Sequence, residues 1–149
     1  MKKRGAGIFF TDGSKTLILK RAEEGKNKEK WDFPGGKANP KESFLETAKR
    51  EAREECGLDV VPGNNVGSIK HNDNQKEWTT FIFKIEEPFE INLSHEHTDY
   101  KWVDLKNISD FNLHPKIYRD LDKILKKSRK KAASNFSEWV IFRSLANHT

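Results

Sequence analysis

Arg50, Glu51, Glu54 and Glu55 fall within a single stretch, Ser43 to Cys56, that reads as one helix. Ser43 and Glu46 form an S-x-x-E capping box at its start, and Gly57 is a natural stop. On a wheel of about 100° per residue, with Glu51 at zero, Glu54 falls at about −60° and Glu55 at about +40°. The three carboxylates therefore share one arc. Phe44, Leu45, Ala48, Ala52 and Cys56 lie between roughly 20° and 140°, so this arc overlaps the stripe that must be buried. Glutamates at such an edge lose water and repel one another. A divalent cation would relieve that repulsion. Hard carboxylate oxygens suit magnesium, manganese or calcium rather than zinc. The bland alternative is a helix stitched by ion pairs four residues apart, with Arg50 reaching Glu54 and Glu46.

The elements that must position this helix can be read on either side of it. Residues 5–10 and 16–20 are apolar runs separated by Thr11-Asp12-Gly13-Ser14, which predicts a β-hairpin. In Trp31-Asp32-Phe33-Pro34-Gly35-Gly36, the proline and glycines are expected to stop any regular element. Strands are expected near 66–71, 77–85 and 99–104. Glu77 to Phe83 is the strongest of them, and its alternation puts Phe81 and Phe83 on one face. A long amphipathic helix is expected from about 115 to 131, and a short one from about 137 to 146. No internal repeat or long linker divides the chain, so one domain over 1–149 is expected, with a basic helical segment from about 115.

Composition limits the function classes. Charged residues make up 34% of the chain, as do hydrophobic ones, yet 11% are aromatic, which argues for a folded core under a very polar surface. No signal-peptide pattern or membrane-length apolar run is present, so no membrane role is expected. The lone Cys56 cannot form an internal disulfide, so a reducing, cytoplasmic setting is the default. The net charge is +5, and residues 116–131 hold eight Lys or Arg against two Asp. That segment is either a solvated face or a contact for a polyanion such as RNA.

From Gly36 to Leu58 the chain reads GKANPKESFLETAKREAREECGL. This matches G-x5-E-x7-R-E-U-x-E-E-x-G-U, with U apolar, at Gly36, Glu42, Arg50, Glu51, Ala52, Glu54, Glu55, Gly57 and Leu58. A chance match to its seven fixed positions is on the order of one in a million for a chain of this length. The segment resembles the signature of the Nudix hydrolases. Leu19-Lys20-Arg21, Trp31 to Lys37 and Tyr100-Lys101-Trp102-Val103 resemble the family's flanking segments, so the resemblance spans roughly residues 5 to 104.

The resemblance implies an α+β fold, an α/β/α sandwich with a mixed sheet. It implies Mg2+-dependent hydrolysis of a pyrophosphate bond in a nucleoside diphosphate linked to another group, with Mn2+ able to substitute. Carried over by position, Glu51, Glu54 and Glu55 would hold metal, with the carbonyl of Gly35 adding a ligand. Glu42 and Arg50 would hold the loop and orient Glu51, and Gly36 and Gly57 would allow close backbone approach. Glu51 and Glu96 compete as the general base. His95 and His97 flank Glu96 without forming H-E-x-x-H, so zinc is not expected.

Asp73 to Lys76 lacks the proline or tyrosine that marks family members acting on nucleotide sugars or dinucleoside polyphosphates. A nucleoside triphosphate is therefore the default substrate. RNA 5′ ends, dinucleoside polyphosphates and ADP-ribose are the alternatives, and a binding module without catalysis is the remaining one. Oligomeric state and base preference have no marker in the sequence.

Overall fold

A computed structural model describes residues 2–22 and 27–130. The expected hairpin forms from β1 (Lys3–Thr11) and β2 (Lys15–Arg21). Asp12 closes its turn by accepting the Ser14 and Lys15 N–H groups at 2.9 and 2.8 Å, and Gly13 takes a positive φ of 101°. The two strands pair only at Thr11 and Thr16. Beyond that point they diverge, and each recruits other partners.

β1 pairs in parallel with β6 (Lys76–Lys84) over nine residue pairs, from Lys3 opposite Lys76 to Thr11 opposite Lys84. β5 (Asn64–Asn72) continues the sheet antiparallel to β6. β2 pairs antiparallel with β3 (Trp31–Asp32) and β7 (His97–Asp104). The sheet is therefore mixed.

The expected break at Pro34-Gly35-Gly36 is corrected here, because Gly35–Lys37 forms a short strand, β4, antiparallel to β1. Missing side chains make that pairing possible. A Cβ on Gly35 would lie 2.6 Å from the Ala6 carbonyl oxygen and the same distance from the Gly7 Cα.

One face of the sheet presents Ala6, Ile8, Phe10, Leu17 and Leu19 to α1 (Phe44–Cys56), which answers with Ala48, Ala52 and Cys56. The other face presents Phe9, Ile18 and Ile82 to a second helix, α2, over 115–130, through Ile117, Leu121 and Ile124. Each buried Leu, Ile or Phe among them contributes about 1.5–3 kcal/mol. The result is the expected α/β/α sandwich. Phe81 and Phe83 share the α1 face, and a 3-10 turn at Leu105–Asp110 leads from β7 toward α2. The helix expected over 137–146 lies outside the described residues. Among the described residues no helix is long and apolar enough to cross a membrane.

Candidate active site

The helix α1 is fixed at both ends by its own sequence. The Ser43 hydroxyl accepts the Glu46 N–H, the Glu46 carboxylate accepts the Ser43 N–H, and Gly57 closes the far end at φ 66°. Burial then divides the three glutamates. Glu55 is 3% exposed, Glu51 is half-buried, and the Glu54 side chain is 59% exposed.

Arg50 ties the box together. Its guanidinium grips both Glu42 oxygens, at 2.8 and 3.0 Å, and donates to the Lys37 carbonyl at 2.9 Å. It also reaches Glu51 at 3.0 Å and Glu54 at 3.3 Å. Glu42 further accepts the Thr47 hydroxyl and the Asn39 N–H. The Arg50 hydrogen bond, then these two, hold its carboxyl down at about 2. Glu42 in turn raises the Arg50 pKa. The expected Arg50–Glu46 contact is absent from this hub, because Glu46 is turned back to the helix cap.

Glu55 accepts the Gly35 N–H at 2.7 Å, and its other oxygen lies 3.5 Å from His97 Nε2. Burial pushes its carboxyl well above the usual carboxylate range, the Gly35 N–H opposes this, and the charges of Glu51, Asp32 and Glu96 add to the rise. Burial also raises Glu51, against the pull of Arg50, and Glu54 and Glu96 push the same way. His97 is shifted down by its burial and so favours the neutral ring. Burial pushes the Cys56 thiol up to about 12, which removes it as a nucleophile.

The loop before β7 is docked on the helix end. The Asn92 N–H donates to the Cys56 carbonyl at 2.9 Å, and the Ser94 N–H to the Glu55 carbonyl at 3.2 Å. Gly57 permits this approach, since a Cβ there would lie 2.6 Å from the Asn92 carbonyl oxygen. That docking brings Glu96 near enough for its charge to act on Glu51 and Glu55. Gly36 is needed in the same way, because its Cβ would meet the Glu51 carboxylate at 2.5 Å.

Among the described residues no three His, Cys, Asp or Glu side chains enclose a single point as they stand. Arg50 lies between Glu51 and Glu54. The donor set nevertheless fits a hard divalent cation. Burial raises both Glu51 and Glu55, all the donors are oxygens, and the exposed Glu54 lies on the same helix edge. Gly35 joins the site through its N–H.

Two groups escape a reading of the sequence. Asp32 is buried, with Arg21 at 3.3 Å, Lys116 at 3.1 Å and one oxygen without a hydrogen-bond partner among the described residues. His97 is buried against Glu55. The only signal was a charged or imidazole side chain within a strand, since their partners come from distant segments.

The fold agrees with comparisons to known proteins. The NUDIX domain family model matches residues 1–127. The chain is 28% identical to an RNA pyrophosphohydrolase of Pelagibacter ubique (strain HTCC1062), covering 83% of this chain and 91% of that protein. It is 27% identical to a CTP pyrophosphohydrolase of Escherichia coli (strain K12), over 74% of this chain and 81% of that protein. Among solved structures it resembles a MutT protein from Methanosarcina mazei Go1, with a TM-score of 0.66 and 31% identity, covering 87% of this chain and 95% of that one. With its box on α1 and a family match over most of its length, this chain belongs to the Nudix hydrolase family.

Proposed function

We propose that the chain is a Mg2+-dependent pyrophosphohydrolase of nucleoside 5′-polyphosphates, with a nucleoside triphosphate as its smallest substrate. Mn2+ substitutes for Mg2+. The observation that carries this reading is the crowding of Glu51, Glu54 and Glu55 on one helix edge, with Glu55 buried where its charge is costly. Those three glutamates would hold the cation, with the Gly35 backbone beside Glu55. A divalent cation, when bound there, would neutralise the diphosphate and make the attacking water more acidic.

The other steps belong to protein groups. Arg50, anchored by Glu42, orients Glu51. Glu96 accepts the proton of the attacking water, and Glu51 is the competing base. The water oxygen bonds to phosphorus, the bridging P–O bond breaks, and the leaving phosphate takes the electron pair. One domain over the whole chain carries this reaction, in a cytoplasmic setting that keeps Cys56 reduced. Relatives whose names specify CTP and RNA support a nucleoside polyphosphate in the site, either free or at the end of a strand.

A panel of nucleotides assayed for phosphate and pyrophosphate release, with Mg2+ or with chelator, tests the reading. Turnover of at least one nucleoside polyphosphate, abolished by chelator, is expected. Full turnover in chelator overturns it.

A further inference from the structure

An open cleft of about 200 Å³ lies beside the carboxylate site, and six cations line it: Lys3, Arg4, Lys37, Lys76, Lys116 and Arg119. Among the described residues that line it, Glu77 is the one acid. The cations come from four separate segments that the fold brings together. Parallel pairing of β1 and β6 sets Lys3 beside Lys76, in strands about 4.8 Å apart. β4 supplies Lys37, the residue after the Gly36 that packs on Glu51. The start of α2 supplies Lys116 and Arg119.

The floor of the cleft is aromatic. Gly5 and Gly7 on β1 leave room for the Trp78 ring, which a Cβ on Gly5 would approach to 2.5 Å. Lys116 is held by Asp32 at 3.1 Å, with its ammonium 3.9 Å from the centre of the Trp78 ring.

Cations in register on neighbouring strands repel, and the fold maintains that arrangement around a concavity instead of spreading it over a solvated face. The cleft is smaller than the roughly 300–1,000 Å³ of pockets that enclose small ligands. A positively charged groove that tracks the backbone is how proteins bind along a single nucleic-acid strand. Asp32 pairs with Lys116 and Asp120 with Arg119, and a mononucleotide bound with its polyphosphate at the carboxylate site leaves no further anion for Lys3, Arg4, Lys37 and Lys76. A strand places one phosphate per nucleotide along them.

Resting on the hydrolase reading above, we propose that this cleft holds the first nucleotides of a single-stranded RNA whose 5′ polyphosphate enters the carboxylate site. Water is the only co-reactant. It bonds to phosphorus, the bridging P–O bond breaks, and phosphate or pyrophosphate departs, leaving a shortened 5′ phosphate on the strand.

The test compares a 5′-triphosphorylated oligoribonucleotide of about eight residues with the matching nucleoside triphosphate. The ratio of their kcat/KM values is measured across salt concentrations for the parent and for Lys3→Glu/Lys76→Glu, both positions being exposed. The ratio is expected to fall at least about tenfold in the double variant. The log–log salt slope for the oligonucleotide should shrink by roughly 1.4, or about 0.7 per lost phosphate contact. Lys3→Arg/Lys76→Arg should keep the parent ratio. If the double reversal melts early, Lys37→Ser carries the same prediction with a slope change of about 0.7. An unchanged ratio overturns the proposal, as does a parent that hydrolyses the mononucleotide and ignores the oligonucleotide. A parent inactive on every polyphosphate sinks the hydrolase reading instead.

Discussion

Glu55 is the residue at which a metal site and an ion-pair face differ most. Burial raises its pKa, so the folded protein binds its proton more tightly than the unfolded chain does. That contribution to stability is complete below the usual carboxyl value of 4.5 and is lost as pH rises through the raised folded value. Glu55→Gln keeps the shape and the Gly35 contact but removes the charge. In chelator at alkaline pH, the variant is expected to melt at the same temperature as the parent or higher. Mg2+ should raise the melting temperature of the parent more than that of the variant, since binding to the native state alone adds RT ln(1 + [L]/Kd). A variant that melts lower in chelator, with Mg2+ immaterial to both proteins, marks an ion-pair face. The box residues were legible because local spacing alone sets their helical arc. Asp32 and His97 were not, because Lys116 and Glu55, which give them meaning, lie far away in the chain.

Among the elements, α1 was readable from end to end, since its cap and stop are local signals. Those ends can be compared by urea denaturation. Ser43→Ala loses one capping hydrogen bond and should cost about 1 kcal/mol. Gly57→Ala should cost more than about 1 kcal/mol, because it forces a side chain into positive φ and toward the Asn92 carbonyl. It should also lower kcat in conditions where the variant remains folded, since that contact docks the loop carrying Glu96. Equal costs with unchanged kcat would argue that the loop is held elsewhere. β4 was not readable, because its pairing depends on Gly7 and Gly35 meeting across the sheet. The parallel β1–β6 pairing was hidden for the same reason, joining residues more than seventy positions apart.

For the whole molecule, the sequence yields the size of the positive excess but not its place. The cations of 116–130 separate in the fold. Lys116 and Arg119 join the cleft, whereas Lys127 turns to the Ser68 carbonyl on β5 at 2.9 Å. Helical periodicity scatters neighbours in the chain, and the sheet gathers Lys3, Lys37 and Lys76 from segments distant from one another in the chain. The carboxylate site and the cleft meet at β4, so the whole fold is needed to align them. The proposal that the carboxylate site holds a metal is tested most directly at Glu54, because its exposed side chain can be changed without disturbing the core. The decisive measurement is the turnover of Glu54→Gln at saturating Mg2+, on a nucleoside polyphosphate that the parent hydrolyses. A metal ligand at this position predicts a loss of about 10²-fold or more with the melting temperature in chelator preserved. Turnover within a few-fold of the parent would contradict it.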